Sequence, residues 1–137
     1  MRKISILAIA FALLFTSASA QSVVSKVEYN KVLQSAVTCE YPFTPDVVEG
    51  AITAKFKSSG YSSKSTKGYD LYRMAKLPEL GNESYDLYIK VERKSKREKD
   101  KAVVTLLLST GFEKFVNDTT GTAILAKAQE YLNGLFP

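Results

Sequence analysis

The chain has 137 residues, and its 19 Lys and Arg outnumber its 14 Asp and Glu, which gives a net charge of +5. It contains one Cys and no His, so it cannot build Ser-His-Asp or Cys-His catalytic arrangements, the common Cys/His zinc sites or an internal disulfide. The composition therefore favours a protein without a cofactor or a metal ion.

The first twenty residues predict a secretory signal peptide. Arg2 and Lys3 precede the apolar run Ile4–Phe15, and Ala18–Ala20 supplies small residues where a signal peptidase cleaves. The run is shorter than the roughly 20 apolar residues that span a bilayer. We therefore expect an exported protein that works in the periplasm or outside the cell.

The expected mature chain, residues 21–137, is long enough for one domain. Loss of Arg2 and Lys3 with the leader lowers the net charge from +5 to +3, an ordinary value that does not favour nucleic-acid binding. No later apolar run is long enough to cross a membrane. Cys39 is not at the expected cleavage junction, so we expect no lipid anchor and interpret this residue as a small core side chain.

The first predicted elements of the mature chain are a strand and a helix. Apolar and polar residues alternate from Lys26 to Tyr41, which predicts one half-buried strand that ends at Pro42. Thr44 followed by Pro45 is typical of a helix start, and Gly60 of a helix end. The apolar stripe of this helix comprises Val48, Ile52 and Phe56.

Four strands and a second helix are predicted next. The strands are Tyr61–Thr66 (an edge strand or extended segment), Tyr69–Leu77, Tyr85–Arg93 and Val103–Ser109, with turns at Lys67-Gly68, Pro78–Asn82 and Ser95–Asp100. Asn117–Thr120 is predicted to cap the last helix, and Gly134 to end it. Strands joined by short turns pair antiparallel. Two helices that each carry a single apolar stripe are expected to cover one face of the sheet. The order β-α-β-β-β-β-α therefore predicts a two-layer α+β domain with four to five strands.

Certain segments carry a resemblance to known proteins. Tyr85–Tyr88 running into Val91–Lys94, the aliphatic strand that follows and the Ala/Leu-rich last helix resemble small exported Bacteroidetes domains of unknown function. Some of those domains have a fold similar to one repeat of the TATA-binding protein. The resemblance implies a compartment and a fold but no activity, and it does not imply DNA binding.

The tetrapeptide Tyr-Asp-Leu-Tyr occurs at Tyr69–Tyr72 and again at Tyr85–Tyr88, on the two arms of one predicted hairpin. If Leu77 pairs with Glu83, Tyr72 lies opposite Tyr88 on the sheet face away from the helices. The predicted patch on that face comprises Tyr72, Met74, Tyr88 and Leu107. Such a patch either stabilises the sheet through cross-strand contacts or binds a partner. A register shift of one residue would invert the faces.

The next predicted hairpin pairs Lys94 with Lys101 and ends in a strongly basic turn. Its six cations are Arg93, Lys94, Lys96, Arg97, Lys99 and Lys101, against Glu98 and Asp100. One interpretation is a solvated tip that keeps the sheet edge soluble. The other is an anion-binding site for phosphate groups or an acidic polymer.

Three functional hypotheses follow from the sequence. The first is a non-enzymatic exported domain that holds a protein or glycan partner through the outer sheet face. The second is a carrier of a small apolar ligand, in a cavity between the sheet and the C-terminal helix that is lined by Phe56, Ile89, Leu106, Ile124 and Leu132. The third is a hydrolase that uses paired carboxylates, although no spacing brings two of them into an apolar cleft.

Overall fold

A computed structural model describes residues 21–136, so the predicted leader lies outside the described residues. The strands are β1 (Ser22–Tyr29), β2 (Val32–Tyr41), β3 (Lys64–Thr66), β4 (Tyr69–Ala75), β5 (Tyr85–Arg93) and β6 (Ala102–Ser109). The helices are α1 (Pro45–Ser58) and α2 (Thr122–Asn133), and a short 3-10 helix spans Pro78–Leu80. None of the helices within residues 21–136 is long and apolar enough to cross a bilayer.

The strands form one antiparallel sheet in the order β1-β2-β6-β5-β4-β3. This confirms the α+β class and the antiparallel pairing, but the sheet has six strands instead of the predicted four to five. The additional strand arises because the segment Lys26–Tyr41, predicted as a single strand, is divided between β2 and the end of β1, which itself begins at Ser22. Asn30 and Lys31 have φ values of 50° and 68°, so the chain makes a two-residue hairpin turn there.

The hairpin turn changes which side chains share a face. Tyr29 pairs with Val32 and Val27 with Gln34, so the odd-numbered residues of β1 lie beside the even-numbered residues of β2. Tyr29 and Val37, which share a parity in the sequence, therefore point to opposite sides of the sheet. The predicted alternation is present in each strand separately, but it does not continue across the turn.

Helix α1 begins and ends where the sequence predicts. Thr44 precedes the first helical residue, Pro45, whose missing N–H is not needed at that position. At the other end, the N–H of Tyr61 donates to the carbonyl of Phe56, and the N–H of Gly60 donates to that of Lys57. This is a Schellman motif, and it requires the left-handed backbone that Gly60 adopts at φ 87°.

The β4–β5 register departs from the prediction because β4 contains a bulge. Ala75 pairs with Tyr85, in agreement with the predicted register, but Tyr72 pairs with Leu87 instead of Tyr88. The extra residue lies between Tyr72 and Ala75, where Met74 has φ 51°. All residues of β4 before the bulge consequently face the side opposite to the predicted one. The predicted β5–β6 register is confirmed, since Arg93 pairs with Ala102.

Apolar side chains pack on both faces of the sheet. The helix-side core joins the buried stripes of both helices to one sheet face and includes Val37, Ile52, Phe56, Leu87, Leu106, Leu125 and Leu132. The second, smaller group on the other face is called the outer cluster and comprises Tyr29, Ala36, Tyr69, Leu71, Tyr88 and Leu107, with Val27 and Phe115 packed against it. If Tyr72 faced outward as the sequence predicts, alternation along β4 would place Tyr69 and Leu71 on the helix-covered face, and the bulge reverses that assignment.

Helix α2 begins later than predicted. The side-chain oxygen of Asn117 accepts hydrogen bonds from the N–H groups of Thr119 and Thr120, so this segment forms a turn of its own instead of the helix cap. The residue before the helix is Gly121. A Cβ at Gly121 would collide with the side chain of Val116, so a close approach of two segments requires glycine here.

Candidate functional site

The segment that follows β6 folds back over the outer cluster. Pairing between β2 and β6 ends at Val37 and Leu106, and beyond it Ser109 bridges to Phe115. The N–H of Val116 donates to the carbonyl of Leu108 over 2.8 Å. We call residues 110–116 the return segment, because it places Phe115 over the outer face of the sheet.

Aromatic rings make up most of the outer cluster. The ring of Tyr29 has its centroid 5.5 Å from Tyr69, 5.3 Å from Tyr88 and 5.0 Å from Phe115. Phe115 also contacts Tyr88, with 5.1 Å between centroids. Tilted and edge-on rings at these separations attract each other beyond the effect of burial alone. The cluster therefore anchors the return segment to the sheet.

Beside this cluster lies a groove of about 450 Å³, which we call the outer groove. Its floor comes from Leu71 of β4, from Asp86 and Tyr88 of β5, and from Ser84, which immediately precedes β5. One wall is formed by Thr66 with the bulge residues Arg73 and Met74, and the other by the return-segment residues 110–113. Its volume suits a small ligand or a few residues of a polypeptide.

Two large apolar side chains at the groove are exposed to solvent, and both residues have left-handed backbone. Phe112 is 98 % exposed with φ 53°, and Met74 is 74 % exposed with φ 51°. The left-handed region costs a residue with a Cβ roughly 1–2 kcal/mol. Neither the exposure of these two side chains nor the strain in their backbone stabilises the fold. Strained residues at a concave surface are typical of binding sites.

Polar contacts hold both walls in place. The N–H of Met74 donates to Asp86 Oδ1 over 2.8 Å, which fixes the bulge against β5. The Glu113 carboxylate accepts from the Tyr29 hydroxyl over 3.0 Å and from Lys67 Nζ over 3.4 Å. Arg73 makes no ion pair with any residue in the described part of the chain. The groove therefore has fixed carboxylates and one cation that is available to a ligand.

Burial and nearby carboxylates raise the pKa values of two tyrosines in the outer cluster, Tyr29 and Tyr88. Burial, together with the neighbouring Glu113 carboxylate, raises the pKa of Tyr29 to about 12. Burial also raises the pKa of Tyr88, and the negative charges of Glu113 and Asp86 act in the same direction. Both phenols are neutral at physiological pH and are available as packing and hydrogen-bonding groups.

The structure separates the four residues of the predicted patch. Tyr72 is 2 % exposed and stacks on Phe56 in the helix-side core, with 4.1 Å between ring centroids. Its assignment to the outer face was wrong because of the bulge in β4. Met74 and Tyr88 line the outer groove, and Leu107 is buried in the outer cluster.

The cations of the predicted basic turn lie near the surface, between β5 and β6. Lys94 Nζ lies 2.8 Å from a Glu40 carboxylate oxygen and 3.5 Å from Glu98, and Lys101 Nζ lies 3.3 Å from Glu98. The other four cations, Arg93, Lys96, Arg97 and Lys99, are exposed and make no ion pair within residues 21–136.

The residues predicted to line a cavity for an apolar ligand lie in the helix-side core and not at the outer groove. Of the predicted cavity residues, Phe56, Ile89, Leu106 and Leu132 are buried in the helix-side core, and Ile124 packs against it. No group of three or more His, Cys, Asp or Glu side chains in residues 21–136 could hold a metal ion.

The sequence does not predict the return segment or its contribution to the groove. It predicts no strand or helix between β6 and α2, where residues 110–116 lie. The available signal was Phe112 and Phe115, two aromatic residues after Gly111 in a short polar segment. The positive φ of Phe112 could not be expected, because Phe disfavours the left-handed region that Gly, Asn and Asp tolerate.

Comparison with protein-family models, curated proteins and solved structures finds no match to this chain. The function must therefore be argued from the groove and its chemistry.

Proposed function

We propose that this protein is an exported, non-enzymatic binding domain that holds a segment of a protein partner in the outer groove. The observation that carries the proposal is Phe112, a fully exposed aromatic ring at a strained backbone position. Together with Met74 on the opposite wall, it offers apolar contact area at no benefit to the fold. Exposed apolar groups that rim a groove are typical of interaction sites.

The groove chemistry favours a polypeptide segment with an apolar side chain beside a carboxylate. Phe112 and Met74 suit an apolar side chain, since the methionine thioether adapts to irregular shapes. Arg73 is the unpaired cation of the groove and matches a carboxylate through its planar guanidinium. A glycan, the other class of partner expected from the sequence, would use the same ring but gains less from Met74.

NMR titration of the isotope-labelled protein tests the proposal. The probes are short peptides in which Phe or Leu adjoins Asp or Glu, and neutral disaccharides in parallel. We expect the peptides to shift amide signals of Arg73, Met74 and the return segment. Peptides that shift none of these signals, or disaccharides that bind more tightly than the peptides, contradict a protein partner.

Variants then assign the binding to the proposed contacts. Phe112→Asn should abolish the shifts, and Arg73→Gln should weaken binding about 10-fold, because a charge-assisted hydrogen bond is lost. Leu33→Ser is the matched control, since Leu33 is an exposed apolar residue of β2 outside the groove. Equal losses in the control and in Phe112→Asn would contradict a specific site.

We also propose that export follows cleavage after Ala20, as the leader pattern predicts. N-terminal sequencing of the protein from the cell envelope fraction tests it, and the expected first residue is Gln21. A cytoplasmic protein that retains Met1 contradicts the proposal.

We further propose that β2 to β6 with both helices form a fold like one repeat of the TATA-binding protein, to which β1 is added. The support is the element order from β2 onward, strand, helix, four strands, helix. An experimental structure of the mature chain that does not superpose on such a repeat contradicts it. The proposal implies nothing about DNA binding.

A further inference from the structure

The basic turn, Arg93–Lys101, is an ordered structure with its own hydrogen bonds. The N–H of Lys94 donates to the carbonyl of Lys101 over 3.0 Å, and the N–H of Glu98 donates to Ser95 Oγ over 3.1 Å. The Glu98 carboxylate lies between Lys94 and Lys101. The turn therefore has a defined backbone, and two of its cations, Lys94 and Lys101, have fixed partners.

The charges within this turn do not balance. Within residues 21–136, two cations of the turn pair with carboxylates: Lys94 pairs with Glu40 and Glu98, and Lys101 pairs with Glu98. The four remaining cations, Arg93, Lys96, Arg97 and Lys99, face solvent with Asp100 as the one acidic residue of the turn outside an ion pair. Exposed like charges so close in sequence repel each other. An anionic partner would remove that repulsion.

Exposed apolar residues lie at the same end of the sheet. Arg93 and Tyr41 both pair with Ala102, so β2 and β5 end together where the basic turn begins. Phe43, two residues beyond Tyr41, is 39 % exposed, and Val47 in the first turn of α1 is also exposed. Cations beside exposed apolar side chains are what a protein presents to an anionic bilayer surface, because charge attraction and apolar insertion then act together.

We propose that the basic turn, together with Phe43 and Val47, docks this domain on the surface of a bilayer that contains anionic lipids. The docking is peripheral, and it does not depend on the outer groove. A soluble polyanion would use the cations but not the apolar side chains, so both kinds of contact must be tested.

Sedimentation with lipid vesicles measures the docking. We expect the mature protein to bind vesicles of equal parts phosphatidylcholine and phosphatidylglycerol, and not vesicles of phosphatidylcholine alone. Raising the salt from about 0.1 M to about 1 M should release it, because the screening length falls from about 10 Å to about 3 Å. Equal binding to both kinds of vesicle, or to neither, overturns the proposal.

A triple variant identifies the responsible charges. Lys96→Gln, Arg97→Gln and Lys99→Gln together should weaken vesicle binding on the order of 100-fold, since each cation near an anionic surface contributes about fivefold. The matched control replaces Lys57, Lys64 and Lys127 with Gln, three exposed lysines outside ion pairs on α1, β3 and α2. An equal loss in the control would show that net charge alone acts, and would overturn the docking site.

Apolar variants distinguish a bilayer from a soluble polyanion. Phe43→Ser and Val47→Ser should each weaken vesicle binding several-fold, and thermal unfolding checks that each variant is folded. Inorganic polyphosphate serves as the soluble probe. If the protein binds polyphosphate through the same cations but ignores anionic vesicles, or if both apolar variants bind vesicles as the wild type does, the bilayer is excluded.

Discussion

The two faces of the sheet differ in what covers them. Both helices lie on one face, and their stripes join the helix-side core. Neither helix of residues 21–136 lies on the outer face, where aromatic rings from β1, β4 and β5 form a cluster that packs against Phe115 of the return segment. The first arrangement buries side chains from many elements, so it provides most of the stability. The arrangement on the outer face leaves the outer groove beside the cluster, and the groove is lined by two residues with strained backbone, Met74 and Phe112.

Leu106 and Leu107 provide the sharpest comparison, because they are adjacent in β6 and both fully buried on opposite faces. Leu106→Ala should lower the free energy of unfolding by about 4 kcal/mol, since the sheet and two helices hold the cavity open. Urea denaturation measures the change. A loss below about 2 kcal/mol would contradict a rigid core on this face.

Leu107→Ala should have a smaller effect, about 2 kcal/mol, because the return segment can move toward the space that the side chain leaves. The same urea experiment measures it, and Leu106→Ala is the internal reference. Equal losses from the two variants would show that the outer cluster is as rigid as the helix-side core, and the proposed contrast would be wrong.

Phe112→Asn should change stability in the opposite direction. Asn tolerates the left-handed backbone, and the exposed ring of Phe112 contributes little packing, so the free energy of unfolding should rise by about 1 kcal/mol. The gain should accompany the loss of peptide binding. A destabilised variant would mean that the ring supports the fold, and Phe112 would lose its place as the observation behind the proposed function.

Alkaline pH probes one tyrosine on each face. The pKa values of Tyr29 in the outer cluster and Tyr131 in the helix-side core are both raised to about 12, mainly by burial. A tyrosine with a raised folded-state pKa contributes stability that is fully present below about pH 10, the unfolded value, and is lost as the pH rises toward 12.

Denaturation midpoints measured from pH 9 upward should therefore fall above about pH 10. Tyr29→Phe and Tyr131→Phe should each reduce the slope of that fall. A slope that neither substitution changes would show that other groups cause the alkaline loss.

Local patterns predicted a large part of the fold. The four-residue spacing of Val48, Ile52 and Phe56, between Pro45 and Gly60, was sufficient for α1. Alternation predicted β5 to its residue limits, and the Ser95–Asp100 turn fixed the β5–β6 register. These signals succeed because a helix stripe, a strand alternation and a turn are each set by residues close together in the chain.

The candidate site was predicted in part, because its residues depend on distant contacts. The sequence correctly predicts Tyr88 and Met74 on the outer face, but Tyr72 lies on the other face. The bulge at Met74 is stabilised by Asp86 in the next strand. No local pattern in β4 predicts this bulge. The turn at Asn30-Lys31 lacks the glycine that usually marks a two-residue hairpin, so the first two strands were predicted as one.

The sequence by itself determined both helices, most of the strands with their antiparallel pairing, and the presence of a cationic turn, since propensity, periodicity and charge are properties of short segments. The tertiary structure decided which face each side chain occupies, because one extra residue in a strand reverses every side chain on one side of it. It also decided which cations find carboxylates and which face solvent. Those two outcomes depend on contacts between residues far apart in the chain. They create the outer groove and leave four cations of the basic turn without an ion pair to any residue from 21 to 136.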